Sequence, residues 1–169
     1  MFQYFMRKTI IGVMGPPGGE ASKIDEQNAY QLGELIAENN WVLLTGGGKE
    51  GVMGAANKGA KAKGGLTVGI LSNDDPNRCS EYVDIPIITN MQSGRNYMNV
   101  LSCDVVIACG MNPGTASEVA LAIKPNKQII LLNDMEESKT FFKKLSPSQI
   151  HLVSSPKEAI ELTKKFLEK

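Results

Sequence analysis

The sequence predicts a single three-layer α/β domain over residues 1–169, doubly wound, with a mainly parallel sheet of about seven strands. Three observations predict it. Short β-rich runs alternate along the chain with helix-length stretches, the order of a parallel sheet covered on both faces. The runs are mostly continuous apolar segments, as strands buried on both faces require. The glycine-rich segments fall where a run hands over to a helix.

The first run, KTIIGVMG (8–15), is a strand that ends in Gly15-Pro-Pro-Gly-Gly19, where proline fixes φ and glycine admits the positive φ of a turn. A helix over 25–39 follows. WVLLTG (41–46) is the second strand and leads through TGGGKEGVMG (45–54) into a helix over 51–63. That helix carries Ala55, Ala56, Gly59, Ala60 and Ala62, a small-residue face suited to close helix packing and, read with the family below, to a homo-oligomer. LTVGIL (66–71) and IPIIT (85–89) are the third and fourth strands, followed by a helix over 93–102. DVVIAC (104–109) precedes a helix over 115–124, and QIILLN (128–133) one over 136–144. IHLVSS (150–155) is the last strand. Ser155-Pro-Lys-Glu158 then starts the helix 156–168 with a capping box and proline at its first position. No linker, repeat or low-complexity segment divides the chain.

Composition narrows the function. Eighteen Lys and Arg balance eighteen Asp and Glu, which argues against nucleic acid as a partner, since that binding rests on clustered cations neutralising phosphates. The three cysteines lack CxxC spacing, fitting a reducing compartment without structural zinc, and Cys103 and Cys109 sit in apolar sequence as core residues. The single histidine, His151, reads as structural, so no metal ligand set is expected. No apolar run approaches the ~20 residues of a spanning helix, and the first residues have no signal-peptide pattern. The expectation is a cytoplasmic protein with no membrane partner.

In a doubly wound sheet, ligands bind beyond the carboxyl ends of the strands, where the first turn of each helix offers free N–H groups. Four loops qualify. Gly15 and Pro16 follow the first strand. Gly46, Gly47, Gly48 and Gly51 follow the second, leaving room for a phosphate or similar anion against the backbone. Gly46-x-Gly48-x-x-Gly51 is also a dinucleotide fingerprint, with Asp74 and Asp75 placed as ribose-binding acids, but it follows the second strand. No Gly-Lys-Ser/Thr follows, so it is not a Walker A loop. After the fourth strand, Arg95 offers a planar fork of donors for phosphate or carboxylate, with Asn96 beside it. After the fifth, Asn112-Pro-Gly114 makes a tight turn, and Thr115-x-x-Glu118 reads as a capping box. The expectation is an anion clamped from two directions, between Gly46-Gly47-Gly48 and Gly114-Thr115.

GGGKEGVMGAANKGA and PGTASE, separated by GRNYMNVLSCDVVIACG, resemble the lysine-decarboxylase-like SLOG family of Rossmann-like proteins, which includes cytokinin-activating phosphoribohydrolases. Within it the chain is most similar to the molybdenum cofactor carriers, and the similarity covers nearly all of it. The resemblance implies a homodimer or homotetramer that reversibly binds the molybdenum cofactor (molybdopterin), a pterin with a dithiolene and a terminal phosphate, and passes it to molybdenum enzymes. It implies a site built from Gly15, Pro16, Gly46, Gly47, Gly48, Gly51, Arg95, Asn96, Asn112, Gly114, Thr115, Ser117 and Glu118, without a metal cage or catalytic residues. The hydrolases carry PGGxGTxEE and an upstream arginine. Gly114, Thr115, Glu118 and Arg95 match those positions, whereas Gly110, Met111 and Asn112 replace Pro-Gly-Gly and Ser117 replaces the first glutamate. The alternatives are a nucleoside 5'-monophosphate phosphoribohydrolase using Arg95 and Glu118, and a dinucleotide-binding oxidoreductase using Asp74 or Asp75.

Overall fold

The strands of the computed structural model, which describes residues 7–132 and 135–168, are short, largely apolar runs, all but the last of which stop at glycine or a polar residue. They are β1 (Ile10–Met14), β2 (Val42–Thr45), β3 (Thr67–Leu71), β4 (Ile85–Ile88), β5 (Val105–Cys109), β6 (Gln128–Leu132) and β7 (Ile150–Leu152). The helices are α1 (Lys23–Glu38), α2 (Gly51–Ala62), α3 (Arg95–Ser102), α4 (Pro113–Ile123), α5 (Glu136–Leu145) and α6 (Pro156–Leu167). The expected elements are all present, with ends shifted by a few residues; position 133 of the sixth expected strand lies outside the described residues.

The sheet order is β4-β3-β2-β1-β5-β6-β7. Every pairing is parallel, not merely most of them. The chain winds outward from β1 through β2, then returns to place β5 on its other side. That reversal opens a crevice above the carboxyl ends of β1 and β5, the ligand position of such sheets.

Because strand side chains alternate between faces, successive apolar residues feed two cores. Ile11, Val13, Leu43, Val105, Ile107 and Ile130 pack with α1, α2 and α6. Met14, Leu44, Val106, Ala108, Ile129 and Leu131 pack with Val100 of α3, Val119 of α4 and Phe142 of α5. Cys103 and Cys109 are buried in these cores, where loss of solvent pushes both thiols well above their ordinary range. They are packing residues. His151 is also held structurally, its Nε2 2.8 Å from Gln128 Oε1 and its ring 4.7 Å from that of Phe166.

Four local expectations are revised. β4 is an exposed edge strand rather than a doubly buried one, with Pro86 tolerated there because an edge leaves N–H groups unpaired. The small-residue face of α2 is consumed inside the protomer: a Cβ on Gly59 would overlap the Tyr30 carbonyl, and one on Gly33 the Ala56 carbonyl. It lets α1 and α2 approach backbone to backbone, and so gives no support to an oligomer. The cap of α4 is Asn112, whose side chain accepts from Thr115 N at 2.8 Å, so Thr115 is not a cap and Glu118 is free to point inward. At α6, Ser155 does cap through Glu158 N, but the Glu158 carboxylate takes the N–H of Ser154 instead of the cap's own. The complete capping box lies at α1, between Ser22 and Asp25.

Candidate functional site

A cleft of about 270 Å³ opens where the sheet order reverses. Its lining comes from Met14 and Gly15 at the end of β1, Gly46 after β2, Ser72 after β3, Arg95 and Asn96 at the start of α3, and Asn112, Gly114, Thr115 and Glu118 at the start of α4. All five switch-side strands therefore deliver residues to one place. It is small for a ligand pocket and about evenly polar and apolar, suited to gripping one end of a molecule.

Arg95 is its central cation. The side chain turns inward from the first residue of α3 and is half-buried, with its guanidinium against Gly46, where any side chain at 46 would overlap Nη1. Burial lowers its pKa, opposed by the nearby Glu118 carboxyl. Its Nε is buried and has no acceptor among the described residues. A buried donor left unpaired costs about 1–3 kcal/mol.

Glu118 faces the same cleft from α4 and is 6% exposed. Burial raises its pKa, against the opposing hydrogen bond from Asn99 Nδ2 to its Oε1 at 2.8 Å and the Arg95 charge. Asn99 went unnoticed in the sequence, although it stands four residues after Arg95 on the same helix face, a spacing that could have found it. Ser117 turns away: its hydroxyl donates to Gly114 O at 2.7 Å and accepts from Asn96 Nδ2 at 2.9 Å, bracing α4 against α3.

The glycine loop after β2 has a different division of labour from the expected one. Only Gly46 and Gly48 face open space beside Arg95. Gly47, at φ +78°, donates its N–H to Thr45 Oγ1 at 3.0 Å and gives its carbonyl to Ser80 N at 2.9 Å, and a Cβ there would strike Leu71 and Gly69. The Thr45 hydroxyl also pairs with buried Asn57 at 3.1 Å, pinning the loop. Gly51, at φ +62°, lies against Pro16 and Pro17, and the next amide, Val52 N, is taken by Pro16 O at 3.1 Å. The first loop thus packs against the start of α2 and takes one of its free amides. Pro17, not Pro16, lines the cleft.

Of the groups expected to clamp an anion, the cleft brings together Gly46, Arg95 and the start of α4. Asn112 caps Thr115 N and reaches Glu20 Oε2 at 2.6 Å, tying this loop to the first, while the Gly114 amide at the second helical position has no intrahelical acceptor. Val13, Met14, Pro17, Met53, Ser72, Gln92 and Ser93 also line the cleft; only the fold brings these scattered residues together. Asp74 and Asp75 line neither this cleft nor its neighbour, and Asp75 is spent accepting from Asn77 N at 2.9 Å. The dinucleotide-fingerprint reading loses its acid. No group of three or more His, Cys, Asp or Glu able to hold a metal occurs among the described residues. Among them, too, no helix is long and apolar enough to cross a membrane.

The chain is 54% identical to the molybdenum cofactor binding protein from the phototrophic bacterium Rippkaea orientalis, covering 96% of this chain and 99% of that one, with a TM-score of 0.94. It is 44% identical to the molybdenum cofactor carrier protein of Chlamydomonas reinhardtii, covering 96% and 100%, with a TM-score of 0.90. An uncharacterized protein from Archaeoglobus fulgidus is 44% identical over 127 residues, 75% of this chain and 82% of that protein. The profile of the SLOG cluster4 family matches residues 8–160, and with a switch-point cleft set in an all-parallel sheet, the chain belongs to that family.

Proposed function

We propose that this protein binds, shields and hands on the molybdenum cofactor, gripping its terminal phosphate in the switch-point cleft. The observation that carries the reading is Arg95, a cation that lines the cleft and whose buried Nε has no acceptor among the described residues. The guanidinium fork meets the phosphate from one side, and the Gly114 amide with the positive end of α4 from the other. Full-length similarity to proteins that bind this cofactor supports the identity of the cargo. The molybdenum arrives already chelated by the dithiolene, so the protein supplies no ligand to it.

Arg95 and Glu118 share the cleft, the pairing a phosphoribohydrolase would use, and this specific observation keeps that second reading. The carrier reading is favoured because a neutral Ser117, locked between Gly114 and Asn96, stands where the hydrolases have a carboxylate. We propose a cytoplasmic homo-oligomer whose interface is the exposed apolar surface of the β4 edge and α3, with Ile85, Ile87, Met91 and Leu101.

The decisive experiment mixes purified protein with released cofactor, follows cofactor decay, and then adds an apo molybdenum enzyme. Slower decay than in buffer and restored enzyme activity are expected. Decay as fast as in buffer with no restored activity sinks the reading, and release of free base from adenosine monophosphate, lost in Glu118→Ala, would replace it with the hydrolase.

A further inference from the structure

The phosphate cleft does not end at Arg95. A second lobe of about 450 Å³ continues on its far side, and the two share Arg95, Met53, Gly46, Ser72 and Pro17 as a common wall. Lys49 and Arg78 add two cations to this second lobe, against the single acid Glu50. Neither cation is consumed: Lys49 makes no hydrogen bond or ion pair among the described residues, and Arg78 reaches Asp75 only at 4.0 Å, with its side chain 74% exposed. The remaining walls are of another kind. Leu71 and Met53 offer apolar surface to a flat ring, and the amides of Asn73 and Asn77 offer both donors and acceptors to a ring edge.

A phosphate group by itself fills only one side of this arrangement. A ligand carrying two phosphoryl groups in series would place its bridge along Arg95, whose fork spans neighbouring phosphate oxygens, and its second head in the Lys49–Arg78 lobe. We infer that the second lobe is a nucleotide subsite, so that the cleft as a whole accepts the cofactor in a form whose terminal phosphate is joined through a pyrophosphate to a nucleoside. This inference rests on the carrier reading and adds to it the class of cargo.

The test compares two probes, the pterin monophosphate form of the cofactor and its guanine dinucleotide form, each released from a molybdenum enzyme and loaded by equilibrium dialysis onto the wild-type chain and a Lys49→Ala/Arg78→Ala double variant. Both side chains are exposed, so folding is expected to survive, with circular dichroism as the check. The wild-type protein is expected to bind the dinucleotide form about tenfold tighter, and the double variant to bring that ratio to about one. Equal affinities in the wild type, or a ratio unchanged by the double substitution, overturns the nucleotide subsite while leaving the carrier reading standing. If neither form loads, the carrier reading itself has failed.

Discussion

Replacing Arg95 by methionine separates binding from folding at one position. The substitution keeps an unbranched apolar stem while removing the guanidinium that lies against Gly46. In the free protein two contributions oppose each other. The orphaned Nε disappears, relieving a cost of about 1–3 kcal/mol, but Glu118 loses the cation that favours its ionised form. The unfolding midpoint of the free protein is therefore expected to move far less than for a core truncation, which costs about 2–5 kcal/mol. Binding behaves differently. Hydrogen bonds from a charged donor contribute about 1.5–3 kcal/mol, so cargo affinity should fall about 10–100-fold. Urea denaturation of the free protein and equilibrium dialysis of the cofactor measure the two effects independently. Unchanged affinity, or a stability loss of core-truncation size, refutes the assignment of Arg95 to the ligand.

Other substitutions probe the remaining parts. A Cβ at Gly114 would meet only Asn112, at 3.4 Å or more, so Gly114→Phe should block cofactor loading with little loss of thermal stability, and a variant that loads normally would move the phosphate elsewhere. Gly59→Ala drives a methyl group into the Tyr30 backbone and should cost at least about 1–3 kcal/mol in urea unfolding. Burial raises the Glu118 pKa, so its contribution to folding is fully present below the unfolded carboxylate value and lost as pH rises through the folded one. Glu118→Gln should accordingly melt above the wild type at pH about 8, with the advantage vanishing below about pH 4; a constant difference across that range contradicts the buried-carboxyl account. Leu101→Glu, on the exposed apolar face of α3, should convert an oligomer to a monomer in light-scattering measurements, and an unaffected size removes that face as the interface.

The sequence alone determined the alternation of strands and helices, because apolar runs of strand length separated by amphipathic stretches have few other ways to bury themselves. It also determined which loops could reach a ligand, since in a parallel sheet every strand-to-helix loop emerges at the same edge. Arg95, Gly46 and Gly114 were legible for that reason. What each loop does there was decided by the tertiary structure. Gly47 and Gly51 looked like ligand-facing glycines, yet each has a positive φ and a neighbour too close for a Cβ, the Leu71 side chain at Gly47 and the Pro16–Pro17 backbone at Gly51, both from distant parts of the chain. Thr115 and Glu118 matched a capping box, but Asn112 took the cap, and that release let Glu118 turn to Asn99 on a neighbouring helix. The second lobe, with Lys49 and Arg78 on either side of the Gly48–Cys79 bridge, has no local signature at all. Spacing along a chain encodes hydrogen bonds within a turn or helix, whereas a cleft is made by residues whose separation in sequence carries no information about their separation in space.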